Sequence, residues 1–198
     1  MMAELEFFFD VGSPYSYLAA TQLEALGHRT GATVRWRPFL LGAVFKATSN
    51  HMPAAVQAKA MWMLSDLRNW ANHYGVPFTF SSRFPLNTLL PQRFLSAAVL
   101  DKGEQGIAPL ALALFEAYWV HDRDISNPQV AGAVADEVGL DGNTLLALAS
   151  QAPAKDALRA TTDEAVARGA FGAPSFFVGE RLFWGNDRLD FVEAALKG

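Results

Sequence analysis

The sequence predicts an α/β fold in which a β-α-β unit at one end and a β-β-α unit at the other enclose a long block of helices. Two observations carry this prediction. Apolar runs of strand length occur only near the two ends of the chain, and helical periodicity with turn signals fills everything between. Length and composition agree with it. At 198 residues the chain is one domain, or one domain with a large insertion, and 51% apolar against 18% charged residues suffices for a sizeable core.

The first strand is read from Leu5-Glu6-Phe7-Phe8-Phe9, a short aromatic run bounded by Asp10 and Gly12. Residues 14–30 follow as a helix, with Leu18, Ala19, Leu23 and Leu26 on one face. Residues 32–38 alternate Val34 and Trp36 against Arg35 and Arg37, a second strand ended by Pro38. A strand, helix and strand in succession favour a parallel pair.

Helices are then predicted over 53–74, 87–102, 107–120, 128–138, 143–149 and 153–168, several opened by capping chemistry such as Ser126-Asn127-Pro128 and Asp141-Gly142-Asn143. Strands return at 175–178 and 181–184, joined by Gly179-Glu180 as a tight hairpin turn, and a helix over 187–196 closes the chain. That order is the thioredoxin fold carrying an all-helical insertion. Residues 1–40 and 169–198 would form the discontinuous thioredoxin-like domain, and 41–168 the helical insertion.

Composition excludes several functions. A net charge of −4 without a basic run argues against nucleic acid and anionic membranes, and no apolar stretch is long enough to span a bilayer. No basic leader opens the chain, so a cytoplasmic location is expected. The chain contains no cysteine, which removes both a disulfide framework and a protein-borne thiol. The four histidines, His28, His51, His73 and His121, lack metal-ligand spacing, and no metal site is expected.

The missing thiols make Ser13-Pro14-Tyr15-Ser16 the informative stretch, because a thioredoxin-like redox enzyme carries Cys-Pro-x-Cys at this strand-to-helix turn. Pro14 suits the first helical position, so Ser13 should cap the helix. A helix start at a strand end also stabilises an anion. With no thiolate of its own, the site suits an external one, to which Ser13 would donate a hydrogen bond. Both roles are open to Ser13. Tyr17 is expected in the core, Tyr15 either there or at the site, and Asp10 is expected to shape the turn.

Near the other end, Gly172-Ala173-Pro174 precedes a strand, and in thioredoxin-like folds this proline is cis and faces the active helix. The Ala173 backbone would then offer an edge N–H and C=O to a peptide-like ligand. In Trp184-Gly185-Asn186-Asp187-Arg188, Asp187 is expected to cap the last helix, and such a helix start could also grip the carboxylate and ammonium of an amino-acid head group.

Taken in order, Asp10-Val11-Gly12-Ser13-Pro14-Tyr15-Ser16-Tyr17, Leu40-Leu41-Gly42-Ala43-Val44-Phe45-Lys46, Asn50 with Lys59, Phe171-Gly172-Ala173-Pro174, and Phe183-Trp184-Gly185-Asn186-Asp187-Arg188-Leu189 give the chain its resemblance. It resembles the 2-hydroxychromene-2-carboxylate isomerases, relatives of the kappa-class glutathione transferases and the DsbA-type oxidoreductases, over nearly its whole length. The resemblance implies glutathione as cofactor. Ser13 would hold its sulfur, Ala173 its cysteinyl backbone, Trp184, Gly185, Asn186 and Asp187 its γ-glutamyl end, and Lys59 would reach it. Asn50 matches an asparagine that reaches glutathione in the kappa class, and is placed with Lys46 on the side of the substrate. Ala173 departs from the bulkier Val or Leu more usual there, but that contact is main-chain.

The implied reaction interconverts 2-hydroxychromene-2-carboxylate and trans-o-hydroxybenzylidenepyruvate in aromatic hydrocarbon catabolism, by reversible addition of the glutathione thiolate. The implied assembly is a homodimer. A kappa-type transferase or peroxidase and a non-catalytic thioredoxin-fold binding module are the alternatives. Of the remaining aromatics, Trp62, Trp70 and Trp119 are expected in the core, and Phe39, Phe45, Phe84 and Trp184 as a pocket wall. Arg35 and Arg37 are expected on a solvated strand face.

Overall fold

Strands β1 (Glu4–Phe9), β2 (Thr33–Pro38), β3 (Ser175–Val178) and β4 (Arg181–Trp184) form one sheet in the order β2-β1-β3-β4 in a computed structural model that describes residues 3–104 and 107–198. β1 pairs parallel with β2, Phe7 opposite Trp36, and antiparallel with β3, Phe7 opposite Phe176; β3 and β4 form the hairpin. The fold is thus the predicted thioredoxin fold with its helical block.

The apolar run Phe7-Phe8-Phe9 in β1 follows from the strand's central position, with both faces covered. On one face Phe7 stacks on Phe9 and Phe176 and meets Trp36 edge-on, while Phe9 packs against Phe115. This core continues into helices α1 (Pro14–Ala20), α2 (Leu23–Thr30), α4 (Gln57–Tyr74), α5 (Leu89–Lys102) and α6 (Ala108–Trp119), and onward to α7 (Pro128–Glu137) and α8 (Gly142–Ala149). On the other face Phe8 packs with Phe39 and Phe177 beneath α3 (Leu41–Thr48) and α9 (Ala152–Ala167). The last helix is α10 (Leu189–Lys197).

Three helix readings are corrected. The single helix expected over 14–30 is two, because Thr21 turns its hydroxyl onto the Leu18 carbonyl at 2.7 Å and Gln22 N–H shifts to the Ala19 carbonyl. The helix expected from residue 53 is a 3₁₀ turn, Pro53–Ala55, separated from α4 by an extended Val56. The helix expected from Asp187 begins as a second 3₁₀ turn, Asn186–Arg188, and Asp187 caps nothing: α10 has Arg188 at its cap position with no side-chain cap. By contrast, Asn127 and Asp141 cap α7 and α8 as expected.

Several side chains also lie elsewhere than expected. Trp62 is 62% exposed, whereas Trp119 is fully buried. Phe39 is sealed in the core beside Phe8 and cannot wall a pocket. Phe84 is half-buried against Phe80 and Trp119. Arg35 and Arg37 are paired rather than solvated. Arg37 is buried, with Glu6 at 2.6 Å and Glu164 alongside, and Arg35 meets Glu4 and Glu104; Arg168 joins the group through Glu6 at 2.7 Å. A buried arginine needs such partners, because an unpaired desolvated charge is strongly unfavourable.

Candidate active site

The turn from β1 into α1 is held from several sides. Ser13 N–H donates to the Asp10 carbonyl, and Gly12 N–H to the Asp10 carboxylate, both at 2.9 Å. Trp119 Nε1 donates to the Val11 carbonyl at 2.8 Å. From α5, Gln92 donates to the carbonyls of Phe9 and Phe39, tying the ends of β1 and β2 together. Only glycine fits at position 12, since a Cβ there would stand 2.7 Å from the Thr88 methyl.

Ser13 fulfils its capping role. Its Oγ accepts from Ser16 N–H at 3.1 Å, and Pro14 occupies the first helical position. The same hydroxyl donates to the Ala173 carbonyl at 3.3 Å, and Ser13 is only 4% exposed. That second bond is long for an O–H donor, so a stronger acceptor brought to the site can take the proton from it. Ser16 lies one turn into α1 with its hydroxyl buried and unpartnered among the described residues.

The Ala173–Pro174 peptide is cis, as expected, and so is Phe84–Pro85. Among the described residues, Ala173 N–H donates to no acceptor. The segment is fixed on both sides. Asn50, just beyond α3, donates to the Phe171 carbonyl at 2.9 Å, and Gly185 N–H donates to the Pro174 carbonyl at 3.1 Å. Trp184, 46% exposed, packs at a tilt against Phe171 with ring centroids 5.0 Å apart. Its indole lies against Gly172 so closely that a Cβ there would be 2.5 Å from Nε1.

Beyond Trp184 the chain passes through Gly185 at φ 101°, a conformation suited to glycine, and Asp187 folds its carboxylate back over that residue beside Arg188. Asn186 is buried. Its carbonyl accepts from Tyr74 Oη at 3.0 Å, and its amide faces the same hydroxyl. Tyr15 donates to Asp66 on α4 at 2.8 Å. Burial pushes the Tyr15 phenol up from its ordinary value, reinforced by the bond to Asp66 and the charges of Asp66 and Asp187. Burial, with the charges of Asp187 and Asp190, does the same to Tyr74.

The fold thus gathers Ser13, Ala173, Trp184, Gly185, Asn186 and Asp187 around the N-terminus of α1. Asn50 joins them through Phe171. Lys46 on α3 and Lys59 on α4 are exposed, and neither ammonium is ion-paired among the described residues. Lys59 shares a face of α4 with Met63, Asp66 and Trp70, roughly 10 Å along the axis from the Asp66 that holds Tyr15. Asp66, Tyr74, Thr88 and Gln92 were not anticipated. The 3.6-residue period of α4 could have pointed to Asp66; nothing local marks Gln92, a buried amide followed directly by Arg93. No group of three or more His, Cys, Asp or Glu side chains converges among the described residues, and no helix there is long and apolar enough to cross a membrane.

Comparison with known proteins agrees with this architecture. The family model for the DsbA-like thioredoxin domain matches residues 4–197. The chain is 33% identical over 198 residues to a 2-hydroxychromene-2-carboxylate isomerase of Sphingobium xenophagum, covering 99% of each protein. It is 30% identical to glutathione S-transferase kappa 2 of Caenorhabditis elegans, covering 98% of this chain and 93% of that one. A solved structure of a 2-hydroxychromene-2-carboxylate isomerase superposes with a TM-score of 0.85 at 28% identity, over 98% of this chain and 94% of the other. The chain therefore belongs to the DsbA-like thioredoxin-domain family and, within it, to the enzymes of the 2-hydroxychromene-2-carboxylate isomerase family.

Proposed function

We propose that this protein is a glutathione-dependent cis–trans isomerase that interconverts 2-hydroxychromene-2-carboxylate and trans-o-hydroxybenzylidenepyruvate, working in the cytoplasm as a homodimer. The observation that carries the reading is the pairing of Ser13 with Ala173. The Ser13 hydroxyl makes only a long hydrogen bond to the Ala173 carbonyl, the N–H of that same residue has no acceptor among the described residues, and the chain has no cysteine to use either.

The residues present fit glutathione. Ala173 offers strand-like main-chain pairing to the cysteinyl part, and Ser13 Oγ is the donor for its sulfur. Asn186 and Asp187, behind the Trp184–Gly185 turn, suit the γ-glutamyl head, with Asp187 as counter-charge to the ammonium. Lys59 supplies a cation for a carboxylate at the other end. Lys46 and Asn50 lie on the substrate side, where the Lys46 ammonium would hold the substrate carboxylate. Bound there, glutathione would supply a nucleophilic thiolate for reversible addition to the conjugated substrate, with ring opening and rotation about a carbon–carbon bond preceding its release. Ser13 lowers the thiol pKa by donating to the charged form, and the two lysines orient the anionic partners.

The test is turnover of 2-hydroxychromene-2-carboxylate by purified protein with glutathione counted before and after. Isomerisation with full recovery of glutathione supports the reading. Glutathione consumed in proportion to substrate supports a kappa-type transferase instead, the reading favoured by the likeness to glutathione S-transferase kappa 2.

A further inference from the structure

We propose that Asp10 is a positioning residue for the Ser13 centre, acting through the turn it closes rather than by touching a ligand; this rests on the glutathione reading above. The Asp10 side chain is buried, and its carboxylate accepts three hydrogen bonds. Oδ1 takes Gly12 N–H at 2.9 Å, and Oδ2 takes Leu41 N–H at 2.9 Å and the Thr88 hydroxyl at 3.0 Å. No cation pairs with it among the described residues. Its partners stand where three helices begin: Gly12 before α1, Leu41 as the first residue of α3, and Thr88 before α5.

Local helix energetics do not explain this arrangement. Leu40, at the cap position of α3, has no acceptor to offer, and Asp10 provides one from a distant strand end. Thr88 stands at the cap position of α5, yet its hydroxyl points to Asp10 rather than into its own helix, and the Leu89 N–H is taken instead by the Asn87 side chain at 3.0 Å. A capping threonine is ordinarily stabilising where it stands. Here it is diverted to hold a carboxylate behind Ser13, and its methyl fills the space a side chain at Gly12 would need.

The consequence is positional. Asp10 accepts two successive N–H groups of the presenting turn, Gly12 on its carboxylate and Ser13 on its carbonyl. The direction of Ser13 Oγ is therefore set from below by Asp10 and from the side by Ala173. Because Leu41 is bound to the same carboxylate, α3, which carries Lys46, is fixed relative to Ser13. Burial pushes the Asp10 carboxyl up from its ordinary value, against the three hydrogen bonds that favour its charged form.

The test is a double-mutant cycle on the full chain, with glutathione as the probe. Its readouts are the affinity by calorimetry and the pKa of the bound thiol by its near-ultraviolet thiolate band. Asp10→Asn keeps the volume but returns an amide to donors that need an acceptor. With Ser13 present, Asp10→Asn should weaken glutathione about tenfold and raise the bound thiol pKa; in Ser13→Ala the further change should stay under about twofold, since coupled residues are not additive. Equal losses in both backgrounds would overturn the proposal. So would a lowered melting temperature with the thiol pKa unmoved, the signature of a merely structural role. If Asp10→Asn does not fold, Thr88→Val removes one donor and preserves shape, and should give about a threefold loss that again disappears in Ser13→Ala. Wild-type protein that binds no glutathione would instead remove the glutathione reading, and this assignment with it.

Discussion

The Ser13 hydroxyl and the Ala173 carbonyl, 160 positions apart in sequence, meet at 3.3 Å, while the same oxygen caps α1 through Ser16 N–H. One side chain therefore joins the first helix to the cis-proline segment at the point where a thiol would stand in a redox relative. Its two bonds separate stability from function, since the cap serves the fold and the outward proton is available to a ligand.

Ser13→Ala removes both bonds. Losing the cap should lower stability by about 1 kcal/mol, a shift of a few degrees in melting temperature. Bound glutathione should lose its thiolate stabilisation, with the thiol pKa moving up by about one unit toward the free value. Denaturant unfolding and the thiolate band read the two effects independently. A bound thiol titrating alike in both proteins would restrict Ser13 to capping.

Asp187→Asn should leave stability nearly unchanged, because the side chain lies over Gly185 and caps neither turn nor helix. Glutathione affinity should fall about tenfold as a charge-assisted contact to the ammonium is lost. Calorimetry and thermal melting on the same preparation decide this. A drop in melting temperature at constant affinity would assign Asp187 a purely structural role.

Gly172→Ala places a methyl 2.5 Å from the Trp184 indole nitrogen. The exposed indole must swing away, releasing its contact with Phe171. The expected cost is about 1–2 kcal/mol, typical of overpacking, with a shift in tryptophan emission and weaker glutathione binding. Unchanged emission with unchanged affinity would mean that the indole is not part of the site.

All four tyrosines should titrate late. Burial is the first cause at Tyr15, Tyr17, Tyr74 and Tyr118, with Tyr17 and Tyr118 pushed up to about 12. A phenol whose folded pKa exceeds its unfolded value keeps its proton when the unfolded chain has lost its own. Stability is therefore complete below pH about 10 and falls as pH rises beyond it. Spectrophotometric titration should show almost no phenolate until unfolding begins, and denaturant midpoints should decline only above that pH. A tyrosine ionising near pH 10 in folded protein would contradict the burial at that residue.

How much of this was legible beforehand divides along physical lines. The sheet and its helical block were, because aromatic runs such as Leu5 to Phe9 and capped starts such as Asn127 and Asp141 are local signals. So was the Ser13 cap, since Ser-Pro at a strand end leaves few alternatives. What escaped depends on distant partners. Trp62 has the periodicity of a core residue, but α4 turns it outward. Asp187 has the spacing of a cap, but Gly185 bends the chain so that its carboxylate closes on the preceding turn. Asp10 at the end of β1 and Thr88 and Gln92 at the start of α5 meet behind Ser13 from two segments far apart in sequence, and no local pattern announces such a meeting.

The most direct measurement is the ultraviolet titration of glutathione bound to the wild-type protein, following the thiolate band against pH. A bound thiol ionising at least about one unit below its free value near 8.5 is the predicted result. An unshifted titration, or no binding at millimolar glutathione, would contradict the assignment of Ser13 and Ala173 as a thiolate site.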